Sequence, residues 1–298
     1  MSDDRALLRE FMAQSVQAAR LAGERIMSHY GKDLDVFSKG IGTHTGDCVT
    51  QADHEAQDVI FDHLFHRQYQ DRLLDYCAVL SEEMADHEQS KRFEKDYTFL
   101  IDPMDGTRGF LDHNNSFGVS IGLIRQDHLP VFGVVFLPAF NKMFTGMYGE
   151  EAHMNGRRLQ PASADSDTLT LFVSEAEIFP AENNARWHHI CAEIKARCAI
   201  KHIRPSVIGS PVHKGCLTAE SDSPALYLGL PRSEKGVSLW DMAATAAIVS
   251  GAGGHVSDVF GHPLELNRKE STYVHHKGFL YCNCGDIAKA TLAAIATL

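Results

Sequence analysis

Residues 97–107 read YTFLIDPMDGT, an apolar run that ends in two aspartates three positions apart. The run Tyr97–Ile101 is rich in aromatic and branched side chains, which is typical of a buried β-strand. A proline and a glycine follow, and both residue types favour a turn because of their backbone preferences. The sequence therefore predicts a strand whose carboxyl end presents Asp102 and Asp105 in one turn.

Two carboxylates in such a turn suit a magnesium site, because magnesium prefers oxygen ligands and keeps several of its waters. The main-chain carbonyl of Met104 would supply a third oxygen. If Gly106 and Thr107 open a helix, their amides would direct positive partial charge at a phosphate. The alternative is an ordinary turn, since Asp, Pro and Gly are common turn residues.

Three other segments place acids at the ends of predicted elements. Glu82 follows a short apolar run, Asp241 stands where a helix begins, and Asp47 and Asp53 flank a short extended piece. Each acid also has an ordinary interpretation. Glu82 would be a solvated loop acid, whereas Asp53 and Asp241 would be helix caps.

Composition excludes several classes of protein. The chain has 28 Lys+Arg against 39 Asp+Glu, a net charge of −11 that disfavours binding to nucleic acid polymers or anionic membranes. Its seven cysteines are scattered and odd in number, as expected of free thiols in a reducing cytoplasm. We see no signal peptide and no run of about 20 apolar residues, so we expect a cytoplasmic protein. The oligomeric state is open, with a homodimer among the options.

A chain of 298 residues can form two packed halves. Hydrophobic periodicity predicts helices at 3–30, 53–70, 185–197, 241–250 and 286–298. Short apolar runs predict strands at 78–80, 97–101, 117–124, 131–137, 169–173 and 203–207. With the polar stretch 161–168 as boundary, we predict an α/β protein that has an α+β domain over 1–160 and an α/β domain over 161–298.

The acidic segments, taken in order, resemble the inositol monophosphatase-like family of magnesium-dependent, lithium-sensitive phosphatases. Its motifs have the form D-x-V-T-x-x-D, (G/S)-E-E, D-P-(I/L/M)-D-G-T, and W-D-x-A-A with a downstream A-G-G. The chain reads DCVTQAD from Asp47, SEE from Ser81, DPMDGT from Asp102 and WDMAATAAIVSGAGG from Trp240. The resemblance implies a layered αβαβα sandwich and a phosphomonoesterase.

The resemblance also implies roles for individual residues. Oxygen ligands for two or three magnesium ions would come from Glu82, Asp102, the Met104 carbonyl, Asp105 and Asp241. The groups that activate water would be Asp53, Thr107 and Glu82, and substrate contacts would include Gly106, Thr107 and Asp241. Paired ions can lower the pKa of a water and bind the phosphoryl oxygens, so no protein nucleophile is required.

The substrate is less well specified, because one fold and one set of metals serve different esters. The stretch DGTRGF from Asp105, Ser81 before the acid pair, and GSPVHKGCL from Gly209 are more similar to 3'(2'),5'-bisphosphate nucleotidases. There the equivalents of Ser210 and Lys214 approach the nucleotide, although this chain has one extra residue before the lysine. Lys214 would neutralise a second phosphate, and the alternative is a solvated surface lysine.

Other positions depart from the family pattern. Gly229 stands where inositol monophosphatases carry an acid for the sugar hydroxyls, which disfavours inositol. The segment 228–239 is longer than expected, and its Arg232 or Lys235 could contact an anionic substrate. Histidines that could contact a substrate are His44, His113, His213 and His255.

Three hypotheses follow. The first is a nucleotidase that releases AMP and phosphate from adenosine 3',5'-bisphosphate. The second is an inositol- or sugar-phosphate phosphatase that uses the same metals. The third is a non-catalytic metal- or nucleotide-binding regulatory module, whose hallmark would be a lost ligand or a missing threonine, and neither loss is present.

Overall fold

A computed structural model describes residues 2–32, 36–38, 48–65, 75–84, 92–162, 166–174, 181–232 and 236–298. Helix α1 (Ser2–His29) is followed by an antiparallel ribbon of β1 (Val36–Ser38) and β2 (Cys48–Thr50), and then by helix α2 (Gln51–Phe65). The two helices predicted in this part of the chain are therefore confirmed. Asp47, His44 and Lys235 lie outside the described residues.

A large sheet follows the chain in simple order. Its described strands are β3 (Cys77–Ser81), β4 (Tyr97–Asp105), β5 (Gly118–Arg125), β6 (Pro130–Leu137), β7 (Lys142–Met147), β8 (His153–Met154) and β9 (Arg157–Arg158). Strands β3 and β4 are parallel, and each later strand pairs antiparallel with the one before it. A short helix α3 (Thr107–Leu111) follows β4 directly.

A smaller, mixed sheet forms from the second part of the chain. Its described strands run in the order β11 (His202–Val207), β10 (Thr168–Val173), β12 (Ala225–Gly229), β14 (Phe279–Cys282) and β13 (His255–Ser257). The helices of this part are α4 (Ala181–Arg197), α5 (Pro211–Glu220), α6 (Leu239–Gly251) and α7 (Gly285–Ile295). Strands β10, β11 and β12 are parallel, and β14 runs antiparallel to β12.

Neighbouring side chains of one strand belong to different hydrophobic cores, one on each face of the sheet. Phe99 and Ile101 of β4 pack with α1 and α2, whereas Leu100 packs on the opposite face with α5 and α6. In the smaller sheet, Tyr227 faces α5 and α6, while Leu226 packs with α4 and α7. Because neighbouring residues of a strand point to opposite faces, the layers stack as helix, sheet, helix, sheet, helix. The predicted αβαβα architecture is confirmed.

Helix α6 lies very close to the large sheet. Gly122, Gly133 and Gly146 are register partners on three adjacent strands and form a row without side chains. A Cβ added at Gly133 would lie 2.0 Å from the carbonyl oxygen of Ala244. The glycine row and the alanines of α6 together permit this approach, which fixes the position of the helix that carries Asp241.

Several elements do not follow from the sequence pattern. Helix α5 was not predicted, because Gly215 stands in its middle and weakens the helical signal. A Cβ at Gly215 would lie 2.6 Å from the Cβ of Thr245 on α6, so this glycine permits close helix packing. Strands β12 and β14 are short, fully buried apolar runs, which periodicity alone does not separate from helix.

The second half of the chain supplies the helices that cover one face of the sheet formed by the first half. Helix α6 follows the stretch 161–168 but packs on the large sheet, which precedes that stretch. The division into residues 1–160 and 161–298 therefore stays a prediction. Among the described helices, none has the length and apolar character needed to cross a bilayer.

Replacing Gly133 with valine is expected to destabilise the protein, because the new side chain would press on the backbone of α6. Overpacking of this kind costs about 3 kcal/mol, which chemical denaturation can measure. Gly285→Ala is the matched control, since a Cβ there meets nothing within 4 Å. Equal unfolding free energies for the two variants would contradict the close approach of α6 to the sheet.

Candidate active site

Three acids from distant parts of the chain meet at one point. Asp102 and Asp105 come from the end of β4, and Asp241 comes from the first turn of α6. Each offers a carboxylate oxygen, and these oxygens all lie within 4.8 Å of one another. All three side chains are buried. Such a set of oxygen donors fits a hard divalent cation such as magnesium.

A bulge in β4 allows Asp102 and Asp105 to face the same point. Residues three apart in a regular strand point to opposite faces of the sheet. Here Asp102 pairs with Ser120 and Asp105 with Gly118, so β4 has one residue more than β5 across this interval. Pro103 lies in the bulge, where its lack of an N–H does not interrupt the ladder.

Each of the three carboxylates is held by a main-chain amide. The amide of Met104 donates to Asp102 Oδ1 at 3.0 Å, and that of Val212 donates to Asp105 Oδ2 at 2.8 Å. Ser238 donates its amide to Asp241 Oδ2 at 2.8 Å, as part of a capping box at the start of α6. A carboxylate has about four lone pairs, so each group keeps capacity to bind an ion.

Glu82 lies beside these three acids. Its amide donates to the carbonyl of Ile101 at 3.0 Å, which continues the pairing of β3 with β4. Its charge contributes to raising the pKa values of Asp102, Asp105 and Asp241, so its carboxylate lies close to theirs. Two carboxylates can approach in this way only when they share a proton or when a cation takes the place of that proton.

Burial and mutual repulsion shift the pKa values of the cluster. The pKa of Asp102 is raised well above its usual value, first by burial and then by the charges of Glu82, Asp105 and Asp241. The pKa of Asp241 is raised in the same way, first by burial. Burial also raises the pKa of Asp105, to about 6, although hydrogen bonds from Ser210 and Val212 oppose the shift. Among the described residues, the negative charge of the cluster thus exceeds the positive charge beside it.

Asp53 and Thr107 form a second pair next to the cluster. Asp53 Oδ2 accepts hydrogen bonds from the amide and the hydroxyl of Thr50, both at 2.7 Å. Its other oxygen, Oδ1, accepts the hydroxyl of Thr107 at 2.9 Å. The Thr107 hydroxyl oxygen also lies 3.3 Å from the carbonyl oxygen of Met104. Burial raises the pKa of Asp53, which increases its capacity to accept a proton.

Gly106 connects the cluster to helix α3. Its φ of 86° is in the left-handed region, and a Cβ would lie 2.3 Å from the carbonyl oxygen of Ser116. Only glycine fits this position without strain. A helix does begin at Thr107, which the sequence left open, and its first amides have no carbonyl partner one turn earlier within the helix.

Ser210 and Lys214 both act on Asp105. The hydroxyl of Ser210 donates to Asp105 Oδ2 and accepts the amide of His213 at 3.0 Å. Lys214 is only 1% exposed, so the alternative of a solvated surface lysine is wrong. Its Nζ lies 4.9 Å from the ring centroid of Tyr227, and its charge lowers the pKa of Asp105. Contact of either residue with a nucleotide stays a prediction.

Sequence reasoning missed several supporting residues. Ser238 precedes Asp241 by three positions, and Thr50 precedes Asp53 by three, so both pairs carry a readable capping-box signal. Helix capping and a place beside the cluster are therefore compatible for both acids. The amide of Val212 has no such signal, because it reaches the site only through tertiary packing.

Comparisons with known proteins agree with this geometry. The model of the inositol monophosphatase family matches residues 7–297. The 3'(2'),5'-bisphosphate nucleotidase CysQ of Escherichia coli K12 is 34% identical over 263 residues, covering 87% of this chain and 94% of CysQ. Inositol monophosphatase 1 of Rattus norvegicus is 29% identical over 257 residues, covering 86% of each chain.

A solved structure gives the same result for the fold. The extragenic suppressor protein suhB of Bartonella henselae superposes with a TM-score of 0.70 at 24% identity, covering 95% of this chain and 97% of suhB. The curated relatives carry names that refer to different esters. Similarity of this degree therefore does not separate a nucleotide from an inositol substrate.

Magnesium is expected to stabilise the protein more as the pH rises. A carboxyl group whose pKa is raised on folding binds more protons in the folded state, so the free energy of unfolding of metal-free protein falls with increasing pH. For Asp105 this loss spans the interval from 3.8 to about 6. A bound cation would offset this loss of stability. The difference in Tm between magnesium-loaded and EDTA-treated protein should therefore grow between about pH 4 and about pH 6, and a constant difference over this interval would contradict the cluster as the ion site.

Proposed function

The chain belongs to the inositol monophosphatase family, whose model matches its residues 7–297, and from this premise we propose that it is a 3'(2'),5'-bisphosphate nucleotidase. As a member it is a metal-dependent hydrolase of phosphomonoesters. The proposed reaction converts adenosine 3',5'-bisphosphate and water into AMP and phosphate. The observation that carries the chemistry is the buried, charge-unbalanced group of Asp102, Asp105 and Asp241.

Two observations favour a nucleotide over inositol. The stretches DGTRGF from Asp105 and GSPVHKGCL from Gly209 resemble those of 3'(2'),5'-bisphosphate nucleotidases. At Gly229, a Cβ would lie 2.3 Å from the ring of Phe279. An acidic side chain therefore does not fit at this position unless the ring moves, so a contact with inositol hydroxyls from here is disfavoured.

The metal ligands in this proposal are oxygen atoms: those of Glu82, Asp102, the Met104 carbonyl, Asp105 and Asp241. When bound, magnesium ions supply an acidified water and stabilise charge on the phosphoryl oxygens. The protein's part is to hold the ligands in place before substrate arrives. The amides of Gly106 and Thr107 would bind the phosphate from the start of α3.

Thr107 and Asp53 are proposed to orient the attacking water. The hydroxyl hydrogen of Thr107 is committed to Asp53 Oδ1, so the lone pairs of Thr107 Oγ1 can accept a hydrogen bond from the water. As the water loses its proton, Asp53 would take up part of the positive charge through the Thr107 hydroxyl, and Glu82 would assist as a second acid. The raised pKa of Asp53 supports this role.

Ser210 and Lys214 enter the proposal through Asp105. Ser210 fixes one carboxylate oxygen of Asp105, and Lys214 adds a positive charge next to this carboxylate. Direct contact of Lys214 with a second phosphate would require its buried side chain to become accessible. The proposal also includes two or three magnesium ions and sensitivity to lithium, which the family resemblance implies. A cytoplasmic location follows from the composition, and a homodimer is one option for the assembly.

The nearest rival is an inositol- or sugar-phosphate phosphatase, which the similarity to rat inositol monophosphatase 1 favours. A panel of substrates with magnesium separates the two. We expect kcat/KM for adenosine 3',5'-bisphosphate to exceed that for inositol 1-phosphate and for a hexose phosphate by at least about tenfold, with AMP and phosphate released in equal amounts. Preferential hydrolysis of inositol 1-phosphate would refute the nucleotidase assignment.

Asp105→Asn is expected to lower kcat by more than about 100-fold, because the neutral amide is a weaker ligand for magnesium. Folding should persist, since an amide oxygen can still accept the hydrogen bonds from Ser210 and Val212. Without magnesium the variant should unfold at the same temperature as the wild type or higher, because a buried charge is removed.

The matched control for this variant is Asp112→Asn, which changes an exposed acid that pairs with Arg108 on the protein surface. It should retain wild-type activity. If Asp105→Asn kept wild-type turnover, Asp105 could not be a ligand of the catalytic ions.

A further inference from the structure

An aromatic pair that contacts the start of α5 has no part in the proposed chemistry. Phe140 ends the short turn Pro138–Phe140 between β6 and β7, and 44% of its surface is exposed. Its ring centroid lies 5.3 Å from that of His213, with the ring planes 44° apart. His213 itself is 8% exposed. The pair thus presents one open aromatic ring supported by a buried one.

Two hydrogen bonds connect this pair to the metal cluster. The amide of His213 donates to the Ser210 hydroxyl at 3.0 Å, and that hydroxyl donates to Asp105. His213 lies in the first turn of α5, whose amide at Val212 also holds Asp105. The main chain of His213 is thus two hydrogen bonds from Asp105, on the helix whose first turn holds that carboxylate.

The turn that carries Phe140 is held rigidly. Asn141 ends it in the left-handed conformation, with a φ of 50°. The Asn155 side chain donates to the Asn141 carbonyl at 2.9 Å and accepts the amide of Met143 at 2.8 Å. Lys142 binds Glu220 at the end of α5, with an Nζ–Oε1 distance of 2.6 Å. An exposed ring on a fixed turn is prepared to bind a flat partner without ordering the backbone first.

The His213 ring is also fixed and uncharged. Its Nδ1 lies 3.2 Å from the hydroxyl oxygen of Ser116, which sets the plane of the ring. Burial and, to a smaller extent, the charge of Lys142 lower the pKa of His213 to about 4. At neutral pH the pair therefore presents aromatic surface without a charge.

We propose that Phe140, backed by His213, is the surface on which the purine base of the nucleotide substrate stacks while the phosphate lies at the acidic cluster. A base offers a flat aromatic face, whereas an inositol ring carries hydroxyl groups all around it and gains little from a phenyl surface. The inference rests on the proposed function and assigns Phe140 as a determinant of substrate class.

The test compares Phe140→Ala with Phe260→Ala, which removes another exposed phenyl ring, 62% exposed, from the turn after β13. Activity is measured on adenosine 3',5'-bisphosphate and on the base-free ester glycerol 2-phosphate. In Phe140→Ala, the ratio of kcat/KM for the nucleotide to that for the base-free ester should fall about 10- to 100-fold, mainly through KM. Phe260→Ala should keep the wild-type ratio.

A further variant distinguishes the loss of a stacking surface from misfolding of the protein. Phe140→Trp enlarges the aromatic surface and should hold KM for the nucleotide at or below the wild-type value. A ratio that stays at the wild-type value in Phe140→Ala, or a tenfold rise in KM in Phe140→Trp, would overturn the stacking surface.

The outcomes also separate the two proposals. If the wild-type protein does not prefer the nucleotide over glycerol 2-phosphate, the nucleotidase assignment fails and the stacking surface fails with it. If the wild type shows the preference but Phe140→Ala keeps it, only the stacking surface is wrong.

Discussion

Mutual repulsion among buried carboxylates is the constraint on which the rest of this structure depends. Asp102, Asp105 and Asp241 place oxygens within 4.8 Å of one another, with Glu82 alongside, in a place from which water is largely excluded. In such surroundings like charges repel far more strongly than on the surface. The packing of the surrounding helices and strands must therefore hold these carboxylates together. A divalent cation that binds oxygen ligands would neutralise their charge.

The fold meets this constraint with separate supports. A bulge turns two aspartates of β4 to the same side, and the glycine row of the large sheet admits α6 closely enough to bring in Asp241. Main-chain amides at the beginnings of α5 and α6 then hold Asp105 and Asp241. Each support uses backbone groups, which have fixed positions and no side-chain freedom to lose. The ligand geometry is thus determined mainly by where the helices begin.

Much of this could be read from the sequence because the signals are local. Strand β4 with its turn, the start of α6 and the capping boxes at Asp53 and Asp241 each lie within a few consecutive residues. The five layers followed from family-like motifs. The features that were not predicted depend on tertiary contacts. Gly215 weakens the helical pattern of α5, and the short apolar run of β12 is compatible with either a strand or a helix. Lysine is usually a surface residue, so the burial of Lys214 could not be inferred. Nothing in the stretch around Phe140 indicates that it lies near His213.

The hydrogen bonds that hold Asp105 also determine when the site can form as the chain is synthesised and folds. Asp102 and Asp105 leave the ribosome well before α5 and α6, which supply the amide that orients Asp105 and the acid that completes the group. A nascent or partly unfolded chain that lacks these helices therefore holds an incomplete set of ligands, with Asp241 absent and Asp105 without its amide partner. An ion seated there would join segments far apart in the chain, much as a disulfide does, yet could be removed by a chelator.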